Sequence, residues 1–337
     1  MNRRCTIAFI ATLTGLVIFA YINIITGTVS MSLSDIAAVI FGKMEGSVEE
    51  SVIMTIRLPR MLAAVILGGA LALSGYMLQT FFDNPIVGPF VLGISSGAKL
   101  TVALALIFFL SKGHRLGALS LVGAAFIGAL IAMGFVLMLS LRVKSMGILV
   151  VCGIMTGYIC SAVTDIVVTF ADDSNIVNLH NWSMGSLSGM NGTDVRIMAV
   201  IVFVCVAASL LLIKPIGAFR LGEAYAANAG VNIKFLRVSL ILISSLLAAC
   251  VTAFAGPISF VGIAVPHLMK GMTRTSSPAV MIPGCFMLGS LITLACDVVA
   301  RCVFAPAEVS ISSVTAVFLV PVVIAVMIRR KREGGRS

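Results

Sequence analysis

Charge is scarce in this chain: Asp, Glu, Lys and Arg make up 11% of its 337 residues, less than half the roughly 25% of a soluble globular domain. Water is therefore not its main solvent. Aromatic residues are also few, at 7% with a single Trp. The formal net charge of +10 thus has no interleaved aromatics or basic domain to hold a nucleic-acid backbone, and nucleic acid is excluded as a partner. No Gly-x-x-x-x-Gly-Lys-Ser/Thr phosphate loop occurs, so the chain cannot hydrolyse ATP alone. The three histidines, His114, His180 and His267, stand apart, and the eight cysteines show no Cys-x-x-Cys or Cys/His ligand spacing. The cysteines read as small hydrophobes inside apolar spans, and no metal site or convergent catalytic cluster is expected.

What is present is apolar surface: 60% of residues are hydrophobic and mean hydropathy is +1.14. Windows of about 20 apolar residues, the length that crosses a bilayer core, predict an all-helical polytopic membrane bundle of about ten spans. They lie near 6–26, 58–80, 91–110, 116–140, 147–170, 196–213, 238–255, 259–273, 280–300 and 311–328. The eighth is short and opens on Gly256-Pro257, the pattern of a broken helix packed within a bundle. The first follows Arg3-Arg4 but precedes no Ala-x-Ala cleavage site, so it is read as a retained span and not a signal peptide. Most basic residues, among them Arg142, Lys214, Arg220, Lys234, Arg237, Lys270, Arg274 and Arg329 to Arg332, then fall on one side. By the positive-inside rule that side is cytoplasmic and holds both termini. Residues 1–337 read as a single membrane-spanning domain.

Four extramembrane pieces carry information. An outer segment near 27–57 has Leu33, Ile36, Ala37, Ile40 and Phe41 at helical spacing, which predicts a surface helix. Asp83-Asn84-Pro85 is an inner turn, and an acidic outer segment near 171–195 holds Trp182 as an interfacial anchor. A long inner loop covers about 214–237. The Gly-rich stretches from Gly68 to Gly97 and from Gly256 to Gly289 are compatible with an inverted repeat whose opening helices run in opposite directions.

The fifth span repeats Gly153, Gly157, Ser161 and Asp165 at four-residue steps, with Thr156, Cys160 and Thr164 beside them. One side of this helix is polar, either as a tight helix seam or as the wall of a translocation path. A carboxylate such as Asp165 costs about 2.5–3.5 kcal/mol at mid-membrane unless it meets water or a partner. Lys99 is read as snorkelling, and Asp297 as paired with Arg301 one turn later.

Several stretches together resemble the FecCD permease family. They begin with Arg57-Leu58-Pro59-Arg60, Leu67-Gly68-Gly69-Ala70-Leu71-Ala72-Leu73-Ser74-Gly75, Gln79, Asn84-Pro85 and Leu92-Gly93-Ile94-Ser95-Ser96-Gly97-Ala98. Gly256-Pro257-Ile258-Ser259-Phe260-Val261-Gly262-Ile263-Ala264-Val265-Pro266-His267 follows, with Trp182, Gly185-Ser186-Leu187, Asp297 to Arg301 and Glu308 at matching places. The resemblance covers nearly the whole chain from about residue 30 and implies a type II ABC importer permease fold.

It also implies a role: the pore subunit that moves a metal chelate, first a ferric siderophore, otherwise haem or cobalamin, into a bacterial cytoplasm across the cytoplasmic membrane. The implied partners are two ATPase subunits, an extracytoplasmic substrate-binding protein, and a second permease copy or paralogue. No cofactor resides in the chain; ATP belongs to the ATPase and metal arrives only in the substrate. Leu221-Gly222-Glu223-Ala224-Tyr225 with Gly230 resembles the ATPase-coupling loop, and Arg57, Arg60 and Arg301 the positions that dock the binding protein. Asn84 and Ile86 at the inner turn, with Ser161, Thr164 and Asp165 on the fifth span, are the path and gate candidates. Ser310 and Ser312 depart from the family's Pro and Gly, which puts the packing of the last helix in question. The rival expectation is an ion-coupled secondary transporter that uses Asp165, Lys99 and Asp297 as coupling charges.

Overall fold

The computed structural model describes residues 3–27, 47–110, 118–143, 145–303, 305 and 307–334. The surface helix expected from Leu33, Ile36, Ala37, Ile40 and Phe41, and His114, lie outside these residues. Among the described residues the regular elements are all helical. In chain order they are α1 (Arg3–Ile25), α2 (Val48–Phe82), α3 (Ile94–Leu110), α4 (Ala118–Arg142), α5 (Met146–Thr169) and α6 (Asp173–Ser183). There follow α7 (Gly192–Leu211), α8 (Ile213–Phe219), α9 (Glu223–Asn228), α10 (Ile233–Ala255), α11 (Val261–Thr273), α12 (Pro278–Cys302) and α13 (Ile311–Gly334).

Seven of these helices, α1, α2, α4, α5, α7, α10 and α12, are long and apolar enough to cross a membrane. Shorter apolar stretches of α3 and α13, together with α11, occupy the other three expected positions. The main revision concerns residues 48–57, expected outside the second span, which continue α2 upward through a π turn at Val52–Arg57. The cause is Pro59: its ring cannot donate to, and crowds, the carbonyl four residues earlier, so the backbone widens and Leu58 N–H bonds Ile53 O instead.

α2 is the bundle's central post. It packs most extensively on α12 and α10, and almost all of its side chains from Ala63 to Leu78 are buried. Glycine makes the α2–α12 crossing possible. A Cβ on Gly68 would lie 2.7 Å from Gly289 O, and one on Gly289 would lie 2.5 Å from Gly68 O, so only hydrogen fits between the two backbones. Buried hydroxyls tie the same core: Ser74 Oγ donates to Ser244 O at 2.8 Å, and Ser290 Oγ to Val65 O at 2.6 Å.

α11 has only 13 residues, about 20 Å of helix, too short for a full crossing. It is preceded by non-helical backbone from Gly256 to Ser259, as the broken eighth span predicts. Both ends of that backbone bond within the protein: Gly256 N–H donates to Thr252 O at 3.0 Å, and Ser259 N–H to Ser312 Oγ at 3.2 Å. The paired contacts Gly75 with Gly262, Gln79 with Ile263 O and Pro85 O with His267 climb both helices together. α2 and α11 therefore run in the same direction, and the inverted repeat expected of these two helices is not there.

Candidate functional site

Polar chemistry collects at the two ends of the bundle. At the first, where α1 and α12 finish beside the π turn of α2, the wholly buried Asp297 is the centre. Arg60 Nε and Nη2 each lie 3.0 Å from its Oδ1, Asn23 Nδ2 donates to Oδ2 at 3.0 Å, and Arg301 Nε is 3.3 Å from Oδ2. The expected local pair of Asp297 with Arg301 exists, but it is one arm of a larger network. Arg60 Nη1 also reaches Glu308 Oε1 at 2.9 Å and Ser188 Oγ at 3.1 Å, and Ser188 Oγ donates to the other Glu308 oxygen.

Arg57 is buried and does something different. Its Nη1 donates to Ile24 O at 2.6 Å and to Ile25 O at 2.9 Å, while Arg301 Nη2 and Nη1 donate to Asn23 O at 3.2 Å and Thr26 O at 3.4 Å. The last carbonyls of a helix lack intrahelical donors and carry partial negative charge, so two guanidiniums close the end of α1. All three arginines expected at a docking rim thus have partners within the chain. Glu308 is the accessible member, with 43% of its side chain exposed. Burial alone would raise its carboxyl, yet the hydrogen bonds from Arg60 and Ser188 and the charges of Arg60 and Arg301 hold it below its ordinary value of 4.5.

At the opposite end, α2 finishes on Asp83 in a left-handed conformation, φ 46°. Asn84 Oδ1 accepts from Ile86 N–H at 3.1 Å and closes the turn, and His267 Nε2 lies 2.8 Å from Pro85 O, pinning the turn to α11. Ile86 is exposed. Beside this turn lies a cavity of about 440 Å³ lined in part by Asp83, Asn84, Arg220, Gly222, Glu223, Arg237, His267 and Lys270. The expected coupling residues begin here: Glu223 and Ala224 open α9, Tyr225 is exposed on it, and Gly222 and Gly230 flank it. Glu223 Oε2 meets Arg237 Nη2 of α10 at 2.6 Å.

The α5 candidates are not brought to this turn. Met146, the first residue of α5, lines the cavity, and helical rise places Ser161 about 22 Å farther along. Thr164 is buried with its hydroxyl on Cys160 O at 2.7 Å, Ser161 is half-buried and Asp165 is exposed. Gly157 packs on Gly93 as a helix seam, so this helix is tight on one side and open on the other. Lys99 is half-buried on α3.

The sequence reading missed Asn23, Ser188 and Arg237 as site residues. Asn23 carried a signal, an amide near the end of an otherwise apolar span; Arg237 was visible only as one inner basic residue among many. Ser310 and Ser312, which put the packing of the last helix in question, are both hydrogen-bonded at its start. Ser313 N–H donates to Ser310 Oγ at 3.1 Å, and Ser312 Oγ lies 2.9 Å from Ser259 Oγ on the broken segment.

Comparison with known proteins fits this geometry. The FecCD transport family matches residues 15–329. The chain is 33% identical over 288 residues to the vitamin B12 import system permease protein BtuC of Salmonella paratyphi A, covering 84% of this chain and 85% of that one. It is 31% identical over 281 residues to the hemin transport system permease protein HmuU of Yersinia pestis, covering 83% and 84%. A solved structure of a metal-chelate type ABC transporter in an inward-facing conformation superposes with TM-score 0.84 at 28% identity, over 96% of this chain and 99% of that one. The chain belongs to the FecCD transport family, as a multi-pass inner-membrane permease subunit of an ABC importer and not an enzyme.

Proposed function

We propose that this permease carries a metal chelate, with a ferric siderophore first in order and haem or cobalamin next, as a single membrane domain with both termini in the cytoplasm. The observation that carries the reading is the whole-length likeness to a vitamin B12 permease, a hemin permease and a metal-chelate transporter at once. These cargoes share a bulky metal complex and little else, so the likeness speaks for the class above any one member. No cofactor belongs to the chain: ATP is used by the ATPase and metal enters as cargo.

In this reading the end holding Arg57, Arg60 and Arg301 faces outward and receives a substrate-binding protein. Arg60 engages an acidic partner side chain by exchanging it for Glu308, the exposed carboxylate already on its guanidinium; such charges give register and encounter rate more than affinity. The cavity end faces the cytoplasm, where α9 meets one of two ATPase subunits, and Asn84 and Ile86 form the inner gate. α5 lines a path completed by a second permease copy or a paralogue, with Asp165 on its exposed side, Ser161 at the edge and Thr164 buried behind them. The ion-coupled alternative is weakened at one of its three charges, because Asp297 is held by two arginines and an amide.

The test is uptake into vesicles holding the assembled transporter, offered a ferric hydroxamate, hemin and cyanocobalamin in turn. Uptake of the ferric chelate in preference to the other two supports the order given. Preference for hemin or cyanocobalamin replaces the cargo, and indifference to all three overturns the chelate class.

A further inference from the structure

α9 is mounted so that it can pivot. It has six residues, Glu223–Asn228, of which only Ala226 is buried. Gly222 and Gly230 bracket it at φ 122° and φ 84°, and a Cβ at either position would meet nothing within 4 Å. These glycines therefore serve backbone conformation and not close packing: each turn takes a positive φ that glycine adopts without strain. Beside them is the cavity of about 440 Å³, whose lining includes Gly222, Glu223 and Arg237. A short helix on two such turns beside an open cavity would absorb a push by swinging into the space.

One contact in that lining joins α9 to α10. Glu223 Oε2 lies 2.6 Å from Arg237 Nη2 across 14 residues of sequence. Arg237 stands one turn inside α10, which runs on through the buried core against α2. Its stem is largely enclosed, with 22% of the side chain exposed, and its Nε is buried without an acceptor. The guanidinium is thus fixed in place by packing and presents its outer nitrogen to α9. A planar, permanently charged fork holds a carboxylate in one direction better than a flexible ammonium does.

We propose that Arg237 is a positioning residue for energy coupling: the Glu223–Arg237 pair is a strut in the cavity lining that makes α9 a mechanical extension of α10, so that motion imposed on α9 reaches the bundle. The inference rests on the reading that this end of the bundle meets the ATPase. It differs from a direct role for Glu223, in which the carboxylate would itself bind the ATPase and Arg237 would be incidental.

The experiment uses the complete transporter in vesicles and reads the ATP hydrolysed per chelate taken up, together with co-purification of the ATPase. The Glu223 side chain is 51% exposed, so the pair itself contributes about 0–1 kcal/mol to folding, and the yield of assembled complex checks that each variant folds. Arg237→Ala and Glu223→Arg each raise the ATP spent per transport event by about fivefold or more, with the ATPase still bound. The exchange Glu223→Arg with Arg237→Glu recovers most of the wild-type ratio, because the strut is rebuilt with its charges reversed. An unchanged ratio in Arg237→Ala, loss of the ATPase from that variant, or a charge exchange as uncoupled as Glu223→Arg alone would each overturn the strut. Failure of the wild-type assembly to use ATP would instead remove the reading on which it rests.

Discussion

Replacing Asp297 with Asn keeps the side-chain volume and removes the one negative charge shared by Arg60 and Arg301. Both guanidiniums are nearly as buried as the carboxylate, with side-chain exposures of 10% and 9% against 1%, so the lost attraction is not replaced by water. Breaking a buried pair from one side costs about 3–5 kcal/mol, chiefly through the charge left behind. Arg60 retains Glu308 and Arg301 retains the carbonyls of α1, which places the expected loss near the lower limit, about 3 kcal/mol. The comparison variant is Glu308→Gln: its pair with Arg60 is 43% exposed on the acidic side and contributes about 0–1 kcal/mol. Unfolding in mixed micelles with increasing dodecyl sulfate, followed by the fluorescence of Trp182, orders the two variants. Asp297→Asn unfolds at clearly lower dodecyl sulfate, and Glu308→Gln unfolds near wild type. Replacing Asp297, Arg60 and Arg301 together with apolar residues recovers stability relative to Asp297→Asn. Equal unfolding of the two single variants, or no loss in Asp297→Asn, would refute the claim that a buried charge network joins α1, α2 and α12.

Three further outcomes follow from the same geometry. Gly75→Ala sets a Cβ onto the backbone carbonyl of Gly262, where no side chain can yield, and costs about 1–3 kcal/mol or more; Gly217→Ala on α8, with open space around it, is neutral or better in the same unfolding assay. The Glu308 carboxyl is held below 4.5 in the folded chain, so its contribution is complete above that value and is lost as pH falls through the lower folded one. The stability difference between wild type and Glu308→Gln accordingly shrinks as pH is taken below 4.5. In binding-protein capture at low salt, Glu308→Gln removes the carboxylate from Arg60 Nη1 and tightens capture whereas Arg60→Gln weakens it; unchanged capture in both removes Arg60 from the docking surface.

The sequence shows the bundle because its evidence is periodic and local. Apolar windows bounded by charge locate the spans, and Gly256-Pro257 marks the broken one. Pro59 marks the head of a helix, yet residues 48–57 continue that helix upward through a π turn, since backbone can widen around a proline when neighbours support it. The site is less legible because its contacts are far apart in sequence. Arg301 lies one turn from Asp297 and could be paired by counting. Arg60 is 237 residues away and Asn23 is 274, and only packing of α1 and α2 on α12 brings them in. Glu223 was found through a motif, and its partner Arg237 was not, because 14 residues separate them, about 21 Å on a continuous helix, and only the break between α9 and α10 brings them together. Ser310 and Ser312 looked like departures until the geometry placed them on a helix start and on the backbone of the broken segment.

The most direct test of the central claim separates the source of energy. Vesicles containing this permease alone, and vesicles containing it with its ATPase and binding protein, are offered a radiolabelled iron chelate under an ion gradient or with ATP inside the nucleotide-accessible compartment. Accumulation that requires ATP, the ATPase and the binding protein, and persists when ion gradients are collapsed, is the predicted result. Accumulation by the permease alone, driven by an ion gradient without ATP, would contradict it.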